Sequence, residues 1–403
     1  MKDNSVIHSL SCDAKKFVQL QVLFTGMNTI LTLFVNTFLL NSYGSFSKEV
    51  LFYNAIIALV QPIAMITAMK VSERKTALFT QRIGFIFYGI ALAILSIWGN
   101  KVSSYYSLFA VLLSFGAGYY YAVYSSQVLC YTDDKNRDRI VGTVGLIGSV
   151  FSALLPSISG ILISTCGSRT GYQIVFGIAA ILAFLCLITN KLLPEIPKHK
   201  KEPTLKKVFK TILCSRDGRL IMLANGLCNC RSSTIPIFVT LLFYSLLPNE
   251  LLIGVNSTIG YTVALLGATI FRSAVKSGNR VKFSIWAACV VMVPCLGLQF
   301  GLNVIGVIVF NAVHEFCNTF LASPVLNTHF KVIEDLNLHG EYGAEVHTVR
   351  ELFVSAGRIA GLAIVWFAPK TNNGIAFALL SMMLTAVINA IILQKIKKRS
   401  DSV

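Results

Sequence analysis

The sequence predicts an all-α integral membrane protein with twelve transmembrane helices in two six-helix bundles. Three observations predict it. Apolar residues gather into twelve runs of roughly twenty, the length that crosses a bilayer core. Positive charge falls on alternate connectors between those runs. The 403-residue chain is 55% hydrophobic and only 13% charged, too apolar for a soluble globule of this size. A helix bundle in water would need a polar face on each helix, and these runs lack one.

The first six runs cover Phe17–Leu40, Val50–Met69, Leu78–Trp98, Tyr105–Cys130, Val141–Ser164 and Tyr172–Leu193. The first is long and lacks a small-residue cleavage pattern, so it reads as a retained span rather than a signal peptide. The longest polar stretch, Pro194–Arg219, comes next. Six more runs cover Leu220–Leu246, Leu252–Arg272, Lys282–Phe300, Asn303–Asn327, Glu345–Phe367 and Ile375–Ile396. The chain therefore divides into a first bundle (1–194), a basic cytoplasmic linker (195–217) and a second bundle (218–403).

The charges set the expected orientation. Odd connectors carry only Lys48, Lys101, Arg169 and Lys370. Even connectors and tails carry Lys15, Lys16, Lys70, Arg74, Lys75, Lys135, Arg137, Arg139, the run Lys198–Arg216, Lys276, Arg280, Lys331 and Lys395–Arg399. Basic short loops stay cytoplasmic, so both termini are expected inside a plasma (inner) membrane. This topology signal accounts for the net charge of +17. The basic residues form no single patch with base-stacking aromatics, which excludes a nucleic-acid partner. The expected partners are the lipid bilayer, a small-molecule substrate and a coupling ion, with the chain acting as a monomer. Of the ten cysteines, Cys186, Cys289, Cys295 and Cys317 sit within spans as small apolar residues. Cys228 and Cys230 lack further ligands at zinc-site spacing, so no metal and no cofactor is expected.

The halves echo each other. Gly26-Met-Asn before Phe34-Val-Asn-Thr-Phe-Leu-Leu in the first span parallels Gly226-Leu-Cys-Asn before Phe238-Val-Thr-Leu-Leu in the seventh. Small-residue pairs Pro156/Gly160 in the fifth span and Gly357/Gly361 in the eleventh stand at corresponding places and suit close helix packing. Such a repeat suggests two bundles with a site between them near the midplane. With twelve spans, termini inside and a long linker after the sixth, the whole chain resembles the major facilitator superfamily. The family's Gly-x-x-x-Asp-Arg-x-Gly-Arg-Arg connector is reduced here to Met69-Lys-Val-Ser-Glu-Arg-Lys, which leaves Glu73, Arg74 and Lys75 as gating candidates. Pro156-Ser-Ile-Ser-Gly160 partly matches the Gly-Pro-rich motif of the family's exporters. The resemblance implies secondary transport by rocker-switch alternating access.

Ionisable groups at membrane depth are costly and usually face a cavity or a partner. The first half has none well inside its spans. The second has Arg231 near the middle of the seventh span, His314 and Glu315 near the middle of the tenth, and Arg358 near the middle of the eleventh. Glu315 is the one carboxylate placed at the midplane, and is the leading proton-coupling candidate, with His314 beside it. A carboxylate alternating between an apolar setting and a nearby cation, Arg231 or Arg358, takes up and gives up a proton. A permanent Glu–Arg lock is the competing reading. Adjacent residues point about 100° apart on a helix, so His314 is expected to face a different neighbour from Glu315.

His347, Glu351, Ser355 and Arg358 fall on one helical stripe. His347, Arg350 and Glu351 are expected to lie near the headgroups as an interfacial cap, and Arg358 to act in the site. Two mid-depth arginines against one acid hint at a substrate with a negative group, which the planar guanidinium suits. The first half offers neutral groups: Asn28 in the first span, Gln61 in the second, and Tyr120, Tyr124 and Gln127 on one face of the fourth. These are candidates for a cavity wall, or for helix–helix contacts. Asn318 stands where a zinc-protease helix would need its second histidine after His314-Glu315, so that motif fails. Without a phosphate-cradling loop or a sizeable soluble domain, no enzyme or built-in motor is expected. The preferred mode is export of a small organic compound by proton antiport. Import of a sugar, peptide or metabolite is the alternative. A lipid flippase is a third reading, requiring a lateral opening and an apolar half-cavity. A non-transporting sensor or enzyme would need an output domain or catalytic set, and neither is found.

Overall fold

The computed structural model describes residues 12–44, 48–132, 137–196, 205–275, 277–338, 343–368 and 371–400. The helices of the first half are α1 (Cys12–Tyr43), α2 (Lys48–Arg74), α3 (Ala77–Trp98), α4 (Tyr106–Tyr131), α5 (Arg137–Cys166) and α6 (Ser168–Lys191). A short helix α7 (Leu205–Cys214) follows. The second half is built of α8 (Arg216–Ser232), α9 (Thr234–Leu246), α10 (Glu250–Ala274), α11 (Arg280–Phe300), α12 (Val304–Asp335), α13 (Gly343–Phe367) and α14 (Asn372–Ser400). The protein is all-α, and no strand occurs among the described residues. The connector lysines Lys135, Lys198, Lys200, Lys201, Lys276 and Lys370 lie outside the described residues.

Among the described residues, eleven helical segments, with α8 and α9 counted as one, are long and apolar enough to cross a membrane. The 25-residue α13 has the length but carries Arg350, Glu351 and Arg358. Helix starts are set by side chains that satisfy orphan backbone donors. Thr76 accepts from Phe79 N at 3.1 Å, Asn249 from Leu252 N at 3.2 Å and Asn303 from Gly306 N at 2.7 Å. Between α5 and α6 stands a single residue, Gly167, whose φ of +78° is a left-handed turn that glycine adopts without strain.

The seventh span is expected as one helix but is broken at Ser233. Pro236 has no N–H, so the carbonyl of Ser232 loses its partner four residues on, and the helix bends there. The expected linker also contains more than polar chain. Leu205, Val208 and Ile212 repeat at helical spacing, and Val208 and Ile212 bury against Ile333, Leu338, Val346 and Val349.

Helix contacts repeat between the halves. In the first, α1 packs on α5 and α6, α2 on α4, and α3 on α4 and α6. In the second, α8 packs on α13 and α14, α10 on α12, and α11 on α12 and α14. Six spans on, each pair returns. The halves meet along α2–α13 and α5–α10, pairs that the same shift interchanges. The glycine motifs use this frame unequally. Gly357 lies on Gly226, and Gly361 on Cys230 and Thr234, closing α13 onto α8 and α9 within one half. Pro156 lies on Gly254 and Gly160 on Glu250, joining the two halves. Corresponding sequence positions therefore face different partners.

The described ends of the chain lie beside the described ends of even connectors. Phe17 meets Tyr131 at 5.9 Å between ring centres, Tyr131 donates to Pro194 O at 2.5 Å, and Lys397 donates to Gly278 O at 2.9 Å. Glu73, Arg74 and Lys75 are exposed. Large apolar side chains such as Ile97, Phe184, Val293 and Ile305 cover the outside, the surface a hydrocarbon solvent favours.

Candidate functional site

A cavity of about 690 Å³ lies between the halves. The first half lines it with neutral groups: Asn28, Asn36 and Leu33 from α1, Tyr53, Asn54 and Gln61 from α2, Tyr88 from α3 and Tyr121 from α4. The second half supplies every charged lining group: Glu315 from α12, and Arg350, Glu351 and Arg358 from α13. His347, Asn229, Asn256, Asn311, Tyr261 and Asn318 complete that wall.

Two polar chains organise the charges. In the first, Arg231 is 1% exposed and donates from Nη1 to His314 Nε2 at 3.1 Å and, more weakly, to Asn318 Oδ1 at 3.4 Å. Arginine only donates, so His314 Nε2 must accept. That fixes a neutral ring with its proton on Nδ1, and Nδ1–H donates to Glu315 Oε1 at 3.1 Å. His314 is buried and stacks on Phe310, whereas Glu315 lines the cavity. The expectation that His314 faces away from Glu315 is corrected. Backbone vectors diverge, but the flexible glutamate curls back to the ring. Neither Arg231 nor Arg358 bonds Glu315 directly, so the direct Glu–Arg lock is not what forms.

In the second chain, Arg358 Nη1 donates to Glu351 Oε1 at 2.8 Å and to Gln61 Oε1 at 3.1 Å, the latter across the two halves. Arg350 Nε donates to Asn225 Oδ1 at 2.7 Å. Glu351 is buried and lines the cavity with His347 and Arg350. The interfacial-cap reading of these three is corrected: they sit in the wall of the site, because the stripe that carries Arg358 faces inward along its length. Glu315 is therefore not the site's one carboxylate.

In the fourth span, the helix-contact alternative is the one the side chains take. Tyr120 is 2% exposed, stacks on Phe24 and donates to Gln21 Oε1. Gln127 is fully buried, exchanging hydrogen bonds with Gln81 at 2.6 and 3.0 Å, while Asn190 donates to Gln81 at 2.5 Å. Tyr124 stacks beside Tyr120. These three hold the first bundle together, and Tyr121, one residue round the helix, lines the cavity instead. Asn28, Gln61 and Asn318 stand in the cavity wall. Asn311, missed in the sequence, precedes Glu315 and Asn318 by four and seven residues, a spacing that marks one face. Among the described residues no group of three or more His, Cys, Asp or Glu is arranged to hold a metal.

Comparisons with known proteins agree with this architecture. The protein YqgE of Bacillus subtilis (strain 168), itself uncharacterised, is 22% identical over 329 residues, covering 82% of this chain and 76% of its own. A structure from work on proton-dependent oligopeptide transporters superposes with a TM-score of 0.72 at 10% identity, over 97% of this chain and 99% of that one. The nucleoside transporter NupG gives 0.69 at 11% identity, over 95% and 99%. The E. coli xylose transporter XylE gives 0.68 at 11% identity, over 95% and 99%. These likenesses carry the fold, and the sequence carries the family. The profile of the Major Facilitator Superfamily matches residues 20–361, and the chain belongs to that superfamily.

Proposed function

We propose that this protein is a proton-coupled secondary transporter that moves a small organic solute by alternating access, as a monomer spanning a plasma membrane twelve times with both termini in the cytoplasm. The bundles divide at 1–194 and 218–403, joined by the linker 195–217, and rock about the α2–α13 and α5–α10 seams. The observation that carries the coupling is the Arg231–His314–Glu315 chain. Glu315 faces the cavity with one carboxylate oxygen held by His314, while its counter-charge stands behind the neutral imidazole. A proton that reaches Glu315 meets the solute's space. Movement of Arg231, which lies two residues before the bend at Ser233, uncovers Nε2 and lets the ring change tautomer and pass a proton on. Amides and apolar side chains such as Leu31, Ile57 and Leu113 line one half of the cavity and the charges stand on the other, a mixture that suits a small polar organic solute.

The test is proton flux into proteoliposomes with an internal pH dye, across a panel of organic anions, sugars and drug-like cations. Solute-dependent proton movement that vanishes in Glu315→Gln supports the reading. Proton movement against the solute marks exchange and hence export, and movement with it marks co-transport. Solute movement without any proton movement overturns the coupling, and coupled flux that survives Glu315→Gln removes Glu315 as the carrier.

A further inference from the structure

The second polar chain alternates in sign. Arg350, Glu351 and Arg358 run plus, minus, plus along two turns of α13, and all three line the cavity. Glu351 pairs with Arg358 through one nitrogen only, Nη1, which also serves Gln61. Among the described residues, Nη2 and Nε of Arg358 have no hydrogen-bond partner, and the side chain is 25% exposed. Those two nitrogens form the planar edge that matches the two oxygens of a carboxylate. Behind that wall the buried Arg231 adds a third guanidinium, held apart from Glu315 by the neutral His314 ring. Tyr53, Tyr88 and Tyr121 stand on the facing wall.

We infer that the solute is a small organic monoanion with an aromatic or similarly flat body, whose carboxylate completes the Arg350–Glu351–Arg358 row on the open edge of Arg358. The inference rests on the transporter reading and names its substrate class. A carboxylate fits better than a phosphate, because its two oxygens match the open edge of Arg358 and a dianion would crowd Glu351. Tyr121, half-buried where Tyr53 and Tyr88 are buried, takes the ring of the solute by stacking. Glu351 then has a defined role. It holds Arg358 between visits and competes with the solute for the same guanidinium, so it sets affinity. Arg350 touches Asn225 and acts on the solute through charge alone.

The experiment is ligand-dependent thermal stabilisation of the purified protein in detergent, which needs no gradient and no proton movement. The probes are 3-phenylpropionate, its neutral isostere 3-phenylpropanamide, the dianion phenylsuccinate and the cation phenethylamine. Saturable stabilisation by 3-phenylpropionate, and by none of the other three, is expected. Arg358→Gln is expected to weaken binding by about a hundredfold, and Arg358→Lys, which keeps the charge but loses the flat edge, by about tenfold. Glu351→Gln is expected to tighten it by about tenfold, since it removes the competitor. A merely structural ion pair predicts the reverse for Glu351→Gln. Equal stabilisation by the amide, weaker binding in Glu351→Gln, or no response to the carboxylate in protein that elutes as a folded monomer each overturns the assignment. Carboxylate binding without coupled flux would leave this site standing and remove only the proton coupling.

Discussion

Arg231→Met is expected to cost more stability when Glu315 is present than when it is glutamine. Arg231 donates to His314 at 3.1 Å, and the opposite side of the ring donates to Glu315 at 3.1 Å. With the width of the imidazole added, the charges stand about 8 Å apart, and at an effective dielectric constant of about 20 they attract by about 2 kcal/mol. Removing the arginine alone strands a carboxylate in the bundle, which costs about 3–5 kcal/mol. The measurement is a double-mutant cycle of Arg231→Met and Glu315→Gln, read as unfolding free energy in mixed micelles near neutral pH. The double variant is expected to lose about 2 kcal/mol less than the two single losses summed. Salt at about 0.5 M should leave this coupling unchanged, because Arg231 is shielded from solvent ions. Additivity to within about 0.5 kcal/mol, the behaviour of independent sites, would refute the idea that His314 links the two charges.

Three shorter predictions accompany it. Gln127→Leu breaks the fully buried exchange with Gln81 and is expected to lower stability by about 2 kcal/mol, seen as a lower Tm, without altering solute affinity. Gly357→Ala places a methyl against the Gly226 backbone and should destabilise by about 1–3 kcal/mol, whereas Gly89→Ala, with open space around it, should be neutral or slightly stabilising in the same melt. In single-cysteine variants, an impermeant maleimide should label Cys130 and Cys214 only from the cytoplasmic face and Cys166 only from the opposite one. The reverse pattern would invert the proposed topology.

The two halves have divided their work. The first builds a neutral wall and spends its buried amides internally, on Gln81, Gln127 and Asn190. The second carries all the charge of the cavity wall. Asn36 and Asn54 are bonded at 2.8 Å between α1 and α2, so even the lining amides of the first half are partly engaged with one another. In the proposed transporter, recognition of the solute by charge falls to α12 and α13, and stacking to the tyrosine side opposite.

Local chemistry alone determined the all-α membrane class and the position of most helices, and it singled out Glu315, Arg358, Gln61, Asn28 and Asn318, which line the cavity. Apolar length is a property of a segment, and a charge at membrane depth needs a partner or a cavity wherever the fold puts it. Helix rotation was not legible. Tyr120 and Tyr121 are equally good lining residues by composition, and only the packing of Phe24 against Tyr120 turns its neighbour to the cavity. What Glu351 faces was not legible either. It lies about two turns into its helix, but α13 packs on α2 and α8 and its stripe lines the site. The contact between His314 and Glu315 depends on a side-chain bend that helical periodicity does not describe. The bend at Ser233 and the helix Leu205–Cys214 had visible signals in Pro236 and in the spacing of Val208 and Ile212, but their place beside the site and the second bundle was decided by tertiary packing. Sequence periodicity says which residues share a face, and only the neighbouring helices decide what that face meets.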